Sequence, residues 1–200
     1  MRYWLLFIDW RLEKRLREKT MLQRLMQDHK HIAILLNILS NKLTRLADGQ
    51  GVNFNLVRDI VEYMQGYAEH SHHPLEDIIF DYYSNKTGQA NCGQLYNEHH
   101  RLAETSGALV YSLNMILSDV VISREKLIND LQEYIELQQR HMQYEELEVF
   151  PNFIKTLDDS DWQKITVLCQ KRLIEDPLFN DNDKTIFEDL RAYIEHADNK

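Results

Sequence analysis

The chain is poor in glycine, proline and cysteine. It holds six glycines and three prolines in 200 residues, and this scarcity favours long helices without interruption. The two cysteines, Cys92 and Cys169, form no Cys-x-x-Cys pair, which argues against a disulfide framework and for free thiols in a reducing, cytoplasmic compartment. No run approaches the roughly 20 apolar residues that a membrane-spanning helix needs.

A basic surface is also missing. The formal net charge is −9, and since phosphate binding needs a basic surface, nucleic acid is not an expected partner. The hydrophobic and charged shares, 44% and 28%, are typical of a globular domain. Residues 1–20 differ because they are basic. We interpret them as an N-terminal extension, either a packing helix or a stretch upstream of a start at Met21, with a membrane-surface helix as the alternative.

Apolar residues recur at helical spacing, and no segment alternates with a period of two. The sequence therefore predicts an all-α protein. The expected helices cover about residues 21–46, 53–83, 94–117, 123–156, 158–174 and 183–196, and the fourth ends near either Pro151 or Thr156. The first four would form an up-down antiparallel four-helix bundle over residues 21–156, with residues 157–200 as a helical C-terminal extension packed on it. Because Pro74 falls inside the second helix, we expect a bend just before Glu76.

A histidine–glutamate pattern occurs twice along the predicted bundle. Its members are His29, His72 and Glu76 in the first half and His99, His141 and Glu145 in the second. Each member of the second set follows its counterpart by 69 or 70 residues, which indicates two similar helical hairpins packed face to face. A histidine and a glutamate four residues apart lie on one face of a helix, one turn apart.

These six side chains are predicted to hold metal. Apolar neighbours at helical offsets, such as Leu25 and Ile32 around His29, indicate core-facing positions. Burying six such groups without partners would cost several kcal/mol each, against a total stability of about 5–15 kcal/mol. The set has no thiolate, so iron or manganese is favoured over structural zinc. Two six-coordinate ions, bridged by both carboxylates and an oxo or hydroxo group, would leave about two positions open for a small ligand.

Neighbouring residues leave the register of the site open. His73 and Asp77 form a second pair at spacing four, and Glu146 adjoins Glu145. These three either accept hydrogen bonds around the site or face solvent, and we favour solvent. Asp28 and Glu98 precede the lone histidines. Since helix neighbours diverge by about 100°, these two acids are better placed to orient a histidine of an adjacent helix than to bind the metal.

Other residues carry weaker signals. Tyr67 and Tyr144 lie near the pattern and are interpreted as half-buried tyrosines, with donation of hydrogen bonds or electrons to the site as the alternative. A ferritin-like site would need Glu-x-x-His in two helices. Glu69 and His72 form this motif once, but in the fourth helix Gln138 stands where the glutamate before His141 would be needed.

The runs around the pattern resemble the hemerythrin-like HHE cation-binding domain known from bacteria. They are Asp28-His29, His72-His73-Pro74-Leu75-Glu76-Asp77, Glu98-His99 and His141-Met142-Gln143-Tyr144-Glu145-Glu146. The resemblance covers about residues 21–156 and implies an up-down bundle with a non-haem di-iron centre. The ligands that it implies are His29, His72, Glu76, His99, His141 and Glu145.

The resemblance also implies a range of functions. Oxygen carriers of the family have a fifth histidine from a His-x-x-x-His pair in the third helix, whereas Leu95 and Ala103 stand four residues from His99 here. The present set is more similar to iron–sulfur cluster repair proteins and to the iron-sensing domain of a ubiquitin-ligase subunit. We expect binding or sensing of oxygen, nitric oxide or iron. The alternatives are a di-iron enzyme acting on nitric oxide or peroxide, or cluster repair under oxidative or nitrosative stress.

Overall fold

The computed structural model describes residues 20–88, 93–179 and 187–198. Over these ranges the secondary structure is helical and there is no β-strand, so the all-α prediction is confirmed. Of the N-terminal extension predicted for residues 1–20, residues 1–19 lie outside the described residues. So do Cys92 and the start of the last helix that was predicted near Asp183.

Four rods of helix form the bundle. The α-helices in the described part are α1 (Thr20–Ala47), α2 (Phe54–Tyr67), α3 (His73–Thr87), α4 (Gly93–Leu117), α5 (Arg124–Tyr144), α6 (Phe150–Thr156), α7 (Asp159–Cys169) and α8 (Glu188–Asp198). A five-residue π-helical turn, Ala68–His72, joins α2 to α3, and a second, Glu145–Val149, joins α5 to α6. We call the four long helical segments of the bundle rods: the first is α1, the second is α2 with α3, the third is α4 and the fourth is α5 with α6. The second and fourth rods are therefore each continuous through a π turn.

Both π turns stand just before a proline. Pro74 and Pro151 each follow the last residue of a π turn by two positions. A proline cannot donate to the carbonyl four residues earlier, and its ring crowds that carbonyl. The backbone widens instead, since the N–H of His73 donates to the carbonyl of Ala68, five residues earlier. The irregularity expected before Glu76 thus takes the form of a π turn, which changes the direction of the side chains that follow.

The rods pack in a closed ring around two core clusters. Helix α1 contacts α2 and α5, and α4 contacts the same two helices. One cluster contains buried residues such as Leu35, Ile60 and Tyr134, and the other contains residues such as Leu25 and Phe153. Along each rod, the histidines of the pattern fall between the stretches that build these two clusters. The pattern therefore occupies one level of the bundle, closed by apolar layers on both sides.

The C-terminal helices lie against the bundle. Helix α7 contacts α1 and α3, and α8 contacts α2. Asp158 caps α7 by accepting from the backbone N–H of Asp161. The Asp161 carboxylate accepts from the Tyr82 hydroxyl at 2.9 Å and pairs with Lys86 on α3. The helix predicted up to residue 174 ends at Cys169 and continues as a short 3₁₀ turn, Gln170–Arg172.

Replacing Ile165 with alanine is expected to destabilise the whole bundle. Ile165 is fully buried in the cluster that α7 shares with α1 and α3. The resulting cavity costs about 2–5 kcal/mol, which lowers the melting temperature by about 5–15 °C for a chain of this size. Scanning calorimetry measures the shift, with Val167→Ala on the exposed face as the matched control. A main transition left unchanged by Ile165→Ala would contradict the packing of α7 as part of this core.

Candidate metal centre

The six side chains of the pattern converge at the middle level of the bundle. All of them are buried, and His99 is the most exposed of the six at 7%. Residues 29 and 99 come from the first and third rods, whereas 72, 76, 141 and 145 come from the second and fourth. The two π turns carry His72 and Glu145. The structure therefore brings together every residue that the pattern singled out.

One group of donor atoms lies between the first, second and fourth rods. It consists of His29, His72, Glu76 and Glu145, whose nearest donor atoms all lie within 4.8 Å of one another. Glu76 Oε1 is 3.2 Å from His72 Nε2 and 3.5 Å from His29 Nε2. Glu145 Oε2 is 3.3 Å from His29 Nε2. Ligands at right angles, each about 2.1 Å from an ion, lie about 3 Å apart, so these spacings suit one shared cation.

A second group lies beside it and shares Glu76. Its members are His73, Glu76, His99 and His141, again with donor atoms within 4.8 Å of one another. Glu76 Oε2 is 3.3 Å from His99 Nε2, so the two oxygens of this carboxylate face different groups. Glu145 also reaches both groups, with Oε2 3.3 Å from His141 Nε2 and equally close to His29. The arrangement offers two adjacent cation positions spanned by two carboxylates.

The central atoms of the site have no hydrogen bonds. Seven buried nitrogen and oxygen atoms of these six side chains have no hydrogen-bond partner among the described residues. They are His29 Nε2, His99 Nε2, His141 Nε2 and both carboxylate oxygens of Glu76 and of Glu145. A buried polar atom without a partner costs about 1–3 kcal/mol, and more when charged. Metal coordination removes that cost, so the residues fit a bound metal, and their imidazole and carboxylate donors suit iron.

A ring of carboxylates holds the outer nitrogens of four histidines. The Nδ1 atoms of His29, His72, His99 and His141 donate to Glu146, Asp28, Asp77 and Glu98 at 2.9, 3.2, 3.0 and 3.1 Å. Each carboxylate belongs to a different rod from its histidine. A carboxylate of the first rod orients a histidine of the second, and the second and third rods do the same for the third and fourth. A carboxylate of the fourth rod orients the histidine of the first. Such bonds fix the tautomer in which Nε2 points inward as a free donor to a metal.

Two expectations about the neighbouring acids have opposite outcomes. Asp28 and Glu98 were expected to orient a histidine of an adjacent rod, and this is confirmed. Solvent was favoured for Asp77 and Glu146, and this is wrong, because both accept from a buried histidine while remaining about a quarter exposed. The two acids stand 69 residues apart, at matching places in the two halves. The same repeat that revealed the pattern therefore contained a signal for them.

Solvent was also favoured for His73, and this too is wrong. Its side chain is 6% exposed, and its ring stacks on His99 with centroids 4.2 Å apart. The place that corresponds to His73 in the second half is Met142. The repeat therefore carried no signal for His73. The π turn that ends at His72 changes the register of the helix immediately before it.

Electrostatics give the histidines of the site different charges. Burial lowers the pKa of His72, but Glu76 and Asp28 together raise it to about 9. Burial also lowers the pKa of His99, but Asp77, Glu145 and Glu76 raise it to about 11. Burial and the neighbouring His99 hold the pKa of His73 well below its usual range. The carboxylates of the site therefore favour the protonated forms of His72 and His99, and a bound cation would take the place of such protons.

Further polar groups connect the site to its surroundings. The Tyr67 hydroxyl donates to Asp28 Oδ1 at 3.1 Å and accepts from Arg24 Nη2 at 3.3 Å, so Tyr67 is buried beside the site rather than half-buried. His31 follows His29 by two residues, which is about 200° round the helix, and therefore faces away from it. It donates through Nδ1 to Asp176 at 3.0 Å, which ties the segment after α7 to the bundle.

Inward imidazoles and carboxylates within four rods of helix define a histidine–carboxylate metal-binding bundle. Residues 20–153 match the model of the Hemerythrin HHE cation binding domain, and the chain belongs to this family. No curated protein and no solved structure gives a significant match. In the described part of the chain, no helix is long and apolar enough to cross a membrane.

Proposed function

We propose that the chain is a non-haem di-iron protein of hemerythrin type that binds or senses oxygen or nitric oxide. The proposed ligands are His29, His72, Glu76, His99, His141 and Glu145. The observation that carries the proposal is the set of seven buried donor atoms without hydrogen bonds. These atoms fall into two groups that share Glu76, which supports two ions rather than one.

The chemistry of the donors supports iron. Four imidazoles and two carboxylates without a thiolate are typical of iron sites, and iron held in this way binds small molecules and exchanges electrons when bound. The two oxygens of Glu76 face different groups, and Glu145 approaches both. We therefore propose Glu76 and Glu145 as bridging carboxylates, together with an oxo or hydroxo bridge.

The surroundings of the site favour a small uncharged ligand. The candidate ligands are almost completely buried, and the ring of Phe150 lies 5.4 Å from that of His29. An anion or a larger polar molecule would lose its hydration in this apolar layer, which costs several kcal/mol. A diatomic gas has little hydration to lose. The chain's own contribution is thus to orient the imidazoles, supply negative charge and exclude water.

Iron content and absorption spectra of the anaerobically prepared protein test the proposal. We expect two irons per chain and charge-transfer bands that change when oxygen or nitric oxide is added. A change that reverses when the gas is removed supports binding or sensing. A chain that takes up no iron, or that binds a single zinc ion with no response to either gas, would contradict the proposal.

Variants of single ligands are expected to lower iron content and melting temperature together. His72→Ala removes a donor from one group only and should leave about one iron per chain, whereas Glu145→Ala removes a donor that both groups approach. The melting temperature falls because metal binding contributes free energy of folding. His100→Ala is the matched control, since His100 is next to His99 but is 72% exposed. Full iron content and an unchanged melting temperature in both ligand variants would rule out the assigned ligands.

A second candidate function is an enzyme that reduces nitric oxide or peroxide. It is favoured by the hydrogen bonds that run from Arg24 through Tyr67 and Asp28 to His72, because they place polar groups that can hold a proton beside an otherwise apolar site. When an electron donor is added, consumption of many equivalents of nitric oxide or peroxide per chain would support the enzyme. Binding of one equivalent without turnover would support the binding protein.

A further inference from the structure

His73 is a buried histidine that the proposed ligand set does not use. Its side chain is 6% exposed and lies among three other imidazoles: stacked on His99 at 4.2 Å, and 5.5 and 5.6 Å from the ring centroids of His141 and His72. A core histidine with a structural role normally has a hydrogen-bond partner. His73 therefore needs a different explanation from an ordinary buried histidine.

The hydrogen bonding of His73 separates it from its neighbours. Each of the other four histidines has a carboxylate on its Nδ1 atom. In the part of the chain that the structure describes, no carboxylate pairs with the ring of His73. The nitrogen of His73 that faces this group therefore has no carboxylate partner. A metal ion is a suitable partner for it, because metals bind neutral imidazole.

The position of His73 is also that of a ligand. Its donor atom lies within 4.8 Å of donor atoms of Glu76, His99 and His141, the group that forms the second cation position. The π turn Ala68–His72 brings it there, since the backbone widens immediately before His73. In a regular helix, a residue next to an inward-facing one is rotated by about 100° and faces elsewhere. Two consecutive histidines can thus face two adjacent cations.

We propose that His73 is a fifth histidine ligand, bound to the iron that His99 and His141 hold. This inference rests on the proposed di-iron function and deepens it. The two irons become inequivalent, one with three imidazoles and the other with His29 and His72 only. With both carboxylates and an oxygen bridge shared, the positions left for a small ligand fall from about two to about one, on the iron with two imidazoles.

Proton NMR of the iron(II) protein tests the proposal by counting ligands. Every imidazole bound to paramagnetic iron has one remaining ring N–H, which gives a strongly shifted resonance that disappears in deuterium oxide. Labelling histidine with ¹⁵N identifies these resonances. We expect five in the wild-type protein, four in His73→Ala and five in the control His100→Ala.

The possible outcomes separate this inference from the function on which it rests. Two irons per chain with four shifted N–H resonances in the wild type would overturn ligation by His73 and leave the di-iron proposal intact. Five resonances in His73→Ala would overturn it as well. A wild-type chain without paired iron would contradict the proposed function itself. If His73→Ala does not fold, the wild-type count alone decides.

Discussion

Replacing Glu76 with alanine is expected to abolish binding of both irons. Glu76 is 1% exposed, and its two oxygens face different cation positions, 3.2 Å from His72 Nε2 and 3.3 Å from His99 Nε2. At a free metal concentration 100 times the dissociation constant, each ion stabilises the fold by about 2.7 kcal/mol. Losing two ions then lowers the melting temperature of the iron-loaded protein by about 10–20 °C.

Comparing loaded and metal-free protein isolates the contribution of the metal. Loading the wild type with iron should raise its melting temperature, whereas loading Glu76→Ala should leave it unchanged. Glu104→Ala is the control, because this exposed glutamate pairs with His100 on the outer face of α4 and should behave as the wild type. Iron content is measured on the same samples. Retention of two irons by Glu76→Ala would show that the carboxylate does not bridge the two positions.

Helical periodicity predicted the fold well because helices are local structures. Apolar spacing predicted the four rods as helices, and residues 20–153 match the family model. The π turns were only partly predictable. Pro74 signalled an irregularity in the second rod, but Pro151 was interpreted as a place where the fourth rod could end. That rod continues to Thr156, since a wider turn accommodates a proline that would interrupt a regular helix.

The site was predictable where it repeats and unpredictable where the repeat fails. The matched spacing of His72 and Glu76 with His141 and Glu145 indicated which side chains meet. Contacts between rods depend on how each rod is rotated, and one sequence contains no direct measure of that rotation. Solvent was therefore favoured for Asp77 and Glu146, although each pairs with a histidine on a neighbouring rod. His73 was missed because the change of register lies in the backbone.

Replacing Asp28 with asparagine is expected to weaken binding of one iron about 10–100-fold, the range found when a residue that orients a metal-binding histidine is changed. Asp28 is 4% exposed and accepts two hydrogen bonds, from Tyr67 on Oδ1 and from His72 on Oδ2. An asparagine has one acceptor oxygen, so its amide must face either the Tyr67 hydroxyl or the His72 N–H as a second donor. Volume is unchanged, and the effect therefore reports hydrogen bonding rather than packing.

The ring of carboxylates makes this prediction specific to one iron. Asp28 orients His72, which belongs to the group with His29, whereas Asp77 orients His99 in the other group. Release of iron to a chelator should show two phases. Asp28→Asn should accelerate one phase and Asp77→Asn the other. The effect of Asp77→Asn should be smaller, because a side chain 29% exposed forms a weaker hydrogen bond than a buried one.

The exposed Asp48 serves as the control for both substitutions, and Asp48→Asn should release iron as the wild type does. Acceleration of the same phase by Asp28→Asn and Asp77→Asn would mean that the two irons share their orienting groups. Release at the control rate in both variants would mean that packing alone holds the imidazoles. Separate effects on the two phases would show that each rod of the bundle sets the affinity of a metal through a histidine on the next rod.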